Sequence, residues 1–136
     1  MPKILVADDD EYIRLLSSLE LKDAGYEVIT AEGGYKILER IEEEKPHLVI
    51  LDIKMTDCNG LYLLQDIRNH FYDLPVILWT ACDYFEGETK SIEVNFHVLK
   101  SFDLTELKEK IVMALEIGRP SWQPVWQDSP DLSKWL

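Results

Sequence analysis

The chain has 136 residues, which is enough to bury one hydrophobic core and too few for two. Its formal net charge of -12 argues against a direct footprint on DNA, RNA or an anionic membrane, all of which attract basic surfaces. No stretch is long and apolar enough to cross a bilayer, the N-terminus lacks a secretory apolar region, and Cys58 and Cys82 are expected to stay reduced. We therefore expect a cytoplasmic protein.

The first half of the chain predicts three strands and two helices in alternation. The strands are short apolar runs, and the helices carry apolar residues three and four positions apart. Gly25 and Pro46 lie where the two helices are expected to end. In chain order the elements are a strand at residues 4–7, a helix at 11–24, a strand at 26–30, a helix at 34–44 and a strand at 48–51.

The second half continues the same alternation. The dipeptide Asn59-Gly60 is a turn signal before the third helix, and Asp103 is a candidate cap of the last one. The elements are a helix at residues 61–71, a strand at 76–79, a helix at 84–93 with few apolar anchors, a strand at 96–99, and a helix whose buried stripe is Leu107, Ile111, Ala114 and Leu115.

Five strand and helix pairs in alternation are typical of βαβ units. The strands are apolar almost throughout, as expected when a parallel sheet is covered on both sides. The pattern predicts an α/β fold, doubly wound, in which a five-stranded parallel sheet has helices on both faces.

The composition changes near the C-terminus, so we assign residues 1–119 to the domain and residues 120–136 to a tail rich in Pro and Trp. The tail holds three of the four tryptophans and three of the six prolines. Such a segment packs on its own domain, docks on a partner through its aromatic side chains, or is a mobile terminus.

Polar residues follow four of the five predicted strands. Because the carboxyl ends of parallel strands share one edge of the sheet, where open α/β folds bind ligands, we expect these side chains to converge. They are Asp8, Asp9 and Asp10 after the first strand, Asp52 after the third, Thr80 after the fourth and Lys100 after the fifth.

Clustered carboxylates repel one another unless a cation compensates, and all-oxygen ligation suits Mg²⁺. The scattered histidines and the cysteine spacing do not fit zinc. With Mg²⁺ bound, Asp52 is a candidate nucleophile toward phosphorus, while Lys100 and Thr80 can contact phosphoryl oxygens. Alternatively, Asp9 or Asp10 only caps the helix that begins near residue 11.

These motifs resemble the receiver domain of two-component response regulators, and the resemblance covers residues 3 to about 117. It is carried by the acidic pair Asp8-Asp9, by Asp52, by Thr80-Ala81 and by Lys100, each at a predicted strand end. The resemblance implies a flavodoxin-like sheet in the order 2-1-3-4-5.

The resemblance also implies roles for single residues. Asp52 would be the phosphoacceptor, with Thr80 and Lys100 as its catalytic partners. Thr80 and His97 would be the switch residues that respond to phosphorylation. Mg²⁺ would be held by Asp9 directly, by Asp8 through water, by Asp52 and by the backbone carbonyl of Lys54.

The chain departs from the family pattern at several positions. Thr56 and Ser101 replace two prolines, and the second replacement leaves the geometry of the Lys100-Ser101 peptide open, because the family bond is typically cis. Glu93-Val94 replaces the usual Gly-Ala, and His97 stands where Tyr or Phe is more common.

The leading interpretation is a stand-alone receiver domain that takes a phosphoryl group from a sensor histidine kinase or a phosphotransfer protein and then contacts an unidentified protein target. It would be a signalling switch with weak autophosphatase activity, not a metabolic enzyme. One alternative is a degenerate receiver that binds proteins without phosphorylation. Another is a phosphohydrolase of the haloacid-dehalogenase type, since Asp8 and Asp10 also form an Asp-x-Asp motif.

Overall fold

The computed structural model describes residues 1–53, 55, 59–81, 96–101 and 103–117. Its strands are β1 (Lys3–Ala7), β2 (Glu27–Ala31), β3 (Leu48–Leu51), β4 (Val76–Thr80) and β5 (Phe96–Leu99). Its helices are α1 (Glu11–Asp23), α2 (Ile37–Glu44), α3 (Gly60–His70) and α4 (Thr105–Ile117). The helix predicted at residues 84–93, both cysteines and the tail lie outside the described residues.

The five strands form one sheet in the order β2-β1-β3-β4-β5, and every pair of neighbours is parallel. β1 lies between β2 and β3. Ile4 of β1 pairs with Val28 of β2 on one side and with Leu48 of β3 on the other. The predicted fold class and strand order are confirmed.

Alternate residues of each strand pack against different helices. Leu5 and its equivalents face α2 and α3, in a core that includes Ile41 and Leu64. Ile4 and its equivalents face α1 and α4, in a core that includes Leu21 and Ile111. Since both faces of the sheet are covered, the strands are apolar on both sides, as the sequence indicated.

Side chains near the helix ends fix where three of the helices begin. Asp10 caps α1 by accepting from the N–H of Tyr12 at 2.9 Å, and Asn59 caps α3 by accepting from the N–H of Leu61 at 2.8 Å. Asp103 accepts from the N–H of Thr105, the first residue of α4, at 2.9 Å, although it lies one residue before the cap position of that helix.

The start of α2 is the largest error in the predicted boundaries. The pattern placed it at residue 34, whereas the helix begins at Ile37, because Lys36 adopts a left-handed conformation with φ of 57°.

Within the described ranges, no helix combines the length and the apolar composition that a bilayer crossing would require.

Candidate functional site

The hydrogen-bonded ladder of the sheet continues one residue past the ends of three strands. The backbone N–H of Asp8 donates to the last residue of β2 at 3.1 Å, that of Asp52 to the last residue of β1 at 3.1 Å, and that of Lys100 to the last residue of β4 at 2.8 Å. These three residues are therefore fixed by the sheet itself, although each lies formally in a loop.

Three carboxylates meet at this edge of the sheet. Asp8, Asp9 and Asp52 each offer one oxygen, and these oxygens all lie within 4.8 Å of one another. Asp8 is 1% exposed and Asp52 is 5% exposed, whereas Asp9 is half-buried. Carboxylates this close and this buried need a compensating cation.

Lys100 supplies part of the compensation. Its Nζ lies 2.7 Å from Oδ2 of Asp8 and 3.2 Å from Oδ2 of Asp52, and its side chain is 15% exposed. This ammonium therefore pairs with two of the three carboxylates. Counted over these described residues, the cluster keeps an excess of negative charge. An all-oxygen set of this kind suits a hard divalent cation.

Asp8 is oriented by its own loop. Its Oδ1 accepts from the backbone N–H of Asp10 at 2.9 Å, and its carbonyl accepts from the guanidinium of Arg14 at 2.8 Å. Its buried Oδ2 forms the ion pair with Lys100, at 2.7 Å. That oxygen is therefore already balanced by the lysine ammonium.

The protonation equilibria of two groups reflect their burial together with the neighbouring charges. Burial raises the pKa of Asp52, the Lys100 ammonium opposes the rise, and the charges of Asp8 and Asp9 add to it. Burial disfavours the charged form of Lys100, but its hydrogen bonding and charge interactions with Asp8 and Asp52 outweigh that effect and raise its pKa. Two carboxylates stabilise the charged form of Lys100, whereas the charged form of Asp52 is stabilised by one ammonium that also pairs with Asp8.

Asp10 does not join the cluster. Its carboxylate accepts from the N–H groups of Tyr12 and Ile13 at the start of α1, at 2.9 and 3.4 Å. Capping is therefore the role of Asp10, whereas Asp9 belongs to the carboxylate cluster. In the Asp-x-Asp motif required by the phosphohydrolase interpretation, Asp8 accordingly belongs to the carboxylate cluster, whereas Asp10 caps α1.

Thr80 is the last residue of β4 and is 2% exposed. It lies two residues beyond Leu78, which pairs with Leu51, the residue before Asp52. His97 lies deeper, since it pairs with Leu78, and its buried Nε2 has no hydrogen-bond partner in the described part of the chain. Thr80 is thus at the edge and His97 lies two strand pairs below it. Lys54 falls outside the described residues.

The Lys100-Ser101 peptide is trans, because none of the described peptide bonds is cis. The hydroxyl of Ser101 accepts from the backbone N–H of Asp103 at 3.2 Å. The segment after Lys100 is thus closed by a side-chain hydrogen bond at the position where proline is usual in receiver domains.

Two residues near the site were missed by the sequence reasoning. A Cβ on Gly60 would lie 2.6 Å from Cα of Ile53, so only glycine allows α3 to approach the backbone that follows Asp52. The ring of Trp79 has the Nζ of Lys100 5.9 Å from its centroid. The only signal for Gly60 was its place in a turn dipeptide, and for Trp79 its place directly before Thr80.

Comparison with known proteins gives a consistent family. The sequence profile of the response regulator receiver domain matches residues 4–112. The alkaline phosphatase synthesis transcriptional regulatory protein PhoP of Bacillus subtilis is 32% identical over 124 residues, which cover 88% of this chain and 52% of that protein. The probable transcriptional regulator ycf27 of Porphyra purpurea is 38% identical over 113 residues, which cover 80% of this chain and 45% of that protein. The chain thus spans about half the length of these curated relatives.

Solved structures agree with the fold. The response regulator TrrA of Thermotoga maritima, in complex with Mg²⁺ and BeF, has a TM-score of 0.80 and 39% identity, and the match covers 84% of this chain and 99% of TrrA. TrrA in complex with the histidine kinase ThkA matches with a TM-score of 0.78 and 40% identity over 85% of this chain and 99% of that one. With the profile match over most of its length, the chain belongs to the response regulator receiver domain family.

Proposed function

We propose that this chain is a phosphorylation-dependent switch that accepts a phosphoryl group on Asp52 from the phosphohistidine of a histidine kinase or phosphotransfer protein. The observation that carries the proposal is the cluster of three carboxylates, each with an oxygen within 4.8 Å of the others, in which the two buried ones pair with one ammonium. Such a site suits a divalent cation together with a phosphoryl group, because the cation balances both sets of negative charge.

Mg²⁺ is the cation that this oxygen-donor set fits, and Asp8, Asp9, Asp52 and the backbone carbonyl of Lys54 would hold it. When bound, Mg²⁺ would neutralise charge on the phosphoryl oxygens. The exposed side of the cluster is provided by Asp9, which is half-buried, so the site is accessible from solvent.

In the transfer step, a carboxylate oxygen of Asp52 forms a bond to phosphorus while the bond between phosphorus and the donor imidazole nitrogen breaks. The electron pair of the broken bond stays on that nitrogen, and Asp52 becomes an acyl phosphate. Lys100 is already within 3.2 Å of Asp52, so its ammonium can pair with a phosphoryl oxygen after a small movement.

The readout would begin at Thr80. Its buried hydroxyl at the end of β4 can donate to a phosphoryl oxygen on Asp52, which follows the neighbouring strand β3. The resulting movement of Thr80 would change the surroundings of His97 on β5. Contacts that exist only in the phosphorylated state supply the free-energy difference that such a switch needs. Slow hydrolysis of the acyl phosphate would return the domain to its initial state.

The partner face that we favour for phosphotransfer is the exposed side of α1. Tyr12, Leu15 and Leu19 are 56%, 58% and 61% exposed and recur at helical spacing, next to the loop that holds Asp8 and Asp9. The TrrA structure, solved with a histidine kinase, supports a partner of that class.

We place the receiver domain at residues 1–119 and a separate tail at 120–136.

The proposal is tested by phosphorylation with a small-molecule phosphodonor in the presence of Mg²⁺, followed by intact mass measurement. The wild-type protein should gain one phosphoryl group, and Asp52→Asn should gain none. Asp66→Asn is a matched control, because Asp66 is exposed on α3 away from the cluster. Its yield should equal that of the wild type.

Three results would count against the proposal. Equal labelling of Asp52→Asn would place the acceptor elsewhere, and labelling without Mg²⁺ would remove the cation from the reaction. Absence of labelling in the wild type, together with retained capture of a protein partner, would favour the degenerate receiver.

A further inference from the structure

Lys100 reaches the carboxylates with a long and flexible side chain. Its Cα belongs to the residue after β5, at the edge strand of the sheet, whereas its Nζ lies between Asp8 after β1 and Asp52 after β3. The side chain therefore extends from the edge strand past the end of β4 toward β3. A four-carbon stem in that position needs a surface that limits its rotamers.

Trp79 provides such a surface. Trp79 pairs with Val98, which lies two residues before Lys100, so the register makes Trp79 a diagonal neighbour of Lys100 on the same face of the sheet. The indole is only 2% exposed and packs in the core formed with α4, which holds it in one orientation. The Nζ of Lys100 lies 5.9 Å from the ring centroid, within the range of a cation–π contact.

We propose that Trp79 is a positioning residue, which holds the Lys100 ammonium between Asp8 and Asp52 and thereby sets the affinity of the site for a phosphoryl group without setting its affinity for the metal. The effect on phosphoryl affinity rests on the proposed function, whereas the contact between Trp79 and Lys100 does not. It follows from the geometry because Lys100 would pair with a phosphoryl oxygen through its flexible side chain, whereas Asp8 and Asp52, which would hold the metal, are positioned by backbone hydrogen bonds of the sheet.

The first test measures the contact in the metal-free protein. The ε-methylene protons of Lys100, assigned in NMR spectra with Lys100→Met, should be shifted upfield by the ring current of Trp79. The shift should disappear in Trp79→Leu and remain in part in Trp79→Phe, which keeps an aromatic face. Ile77→Val is the matched control, because Ile77 is buried in the same core on the same strand, and it should leave the shift unchanged.

The second test compares two affinities of the same variants. Beryllofluoride at saturating Mg²⁺ should bind Trp79→Leu about 5-fold more weakly than wild type, which corresponds to a cation–π contact of about 1 kcal/mol, and Trp79→Phe about 2-fold more weakly. Mg²⁺ alone should bind all variants within about 2-fold of wild type. If Trp79→Leu does not fold, Trp79→Phe carries both tests.

The outcomes separate the two proposals. An unchanged Lys100 shift in Trp79→Leu and Trp79→Phe, or beryllofluoride binding equal to wild type, would overturn the positioning role. Parallel losses of Mg²⁺ and beryllofluoride affinity in the Trp79 variants, matched by Ile77→Val, would show a structural role instead. If beryllofluoride binds wild type and Asp52→Asn equally, the proposed function fails, while the NMR shift still decides whether Trp79 holds Lys100.

Discussion

The amino ends and the carboxyl ends of the strands form two opposite edges of the sheet, the amino edge and the carboxyl edge. Charged side chains are arranged differently at each. At the amino edge, the Nζ of Lys3 lies 3.2 Å from Glu44 and 3.8 Å from Glu27, and the backbone N–H of Lys3 donates to Nδ1 of His47 at 2.9 Å. At the carboxyl edge, three carboxylates meet, and two of them pair with one ammonium. Both edges belong to the same five strands, so the fold alone does not decide how the charge is balanced.

The difference indicates which edge is the better candidate for a ligand. The amino edge balances its two carboxylates with two cations, since Arg40 also lies 4.0 Å from Glu44, and it contributes modestly to stability, as partly exposed ion pairs do. The carboxyl edge keeps Asp52 buried with a raised pKa, which disfavours its ionised form, so the folded protein is less stable than it would be with a neutral side chain there. Binding a cation would remove that disadvantage.

The largest expected effect comes from the glycine behind the carboxyl edge. In Gly60→Ala, the new Cβ would lie 2.6 Å from Cα of Ile53, so the backbone after Asp52 must move. We expect a loss of about 2 to 3 kcal/mol in the free energy of unfolding, measured with urea, together with loss of beryllofluoride binding.

Gly25, at the amino edge, is the matched control. It has φ of 100° and no atom within 4 Å of a built Cβ, so Gly25→Ala should cost only conformational strain of about 1 kcal/mol and leave ligand binding intact. Equal effects of the two substitutions on binding would contradict the role assigned to Gly60.

Addition of Mg²⁺ should give the next largest effect. At a concentration 100-fold above its Kd, the metal should stabilise the protein by about 2.7 kcal/mol, and a chelator should reverse the gain. Asp9→Asn should lose most of this stabilisation, whereas Glu44→Gln, which neutralises a carboxylate at the amino edge, should keep it. Thermal unfolding with and without Mg²⁺ measures both, and an equal response of the two variants would contradict a site confined to the carboxyl edge.

The sequence was most informative where the chemistry of a residue and its strand position coincide. Asp8, Asp52 and Lys100 were placed correctly at one edge, because parallel strands with known ends leave no other arrangement. Gly60 and Trp79 were missed, because their effects depend on close approach between elements that are distant along the chain. The roles assigned to Thr80 and His97 remain predictions.

Asp52→Asn should stabilise the metal-free protein, by about 1 kcal/mol at neutral pH. The folded-state pKa of Asp52 lies above its ordinary value of 3.8, so the folded wild type binds a proton more tightly and loses stability as pH rises through the interval above 3.8. Asn removes this term, so the stability difference between the two proteins should grow with pH across that interval. A difference that is constant with pH, in urea titrations at several pH values, would contradict the assignment.

The smallest effect should be the same neutralisation at the amino edge. Glu44→Gln removes one carboxylate, but Lys3 keeps its 3.0 Å hydrogen bond to the carbonyl of residue 44 and its approach to Glu27. The expected result is a loss of about 0.5 kcal/mol, opposite in sign to Asp52→Asn, because this carboxylate has its own cation and is partly exposed. At about 1 M salt the loss should vanish, since the Debye length falls to about 3 Å. A stabilising Glu44→Gln would mean that the amino edge also carries unbalanced negative charge, and the contrast between the edges would then not identify the ligand site.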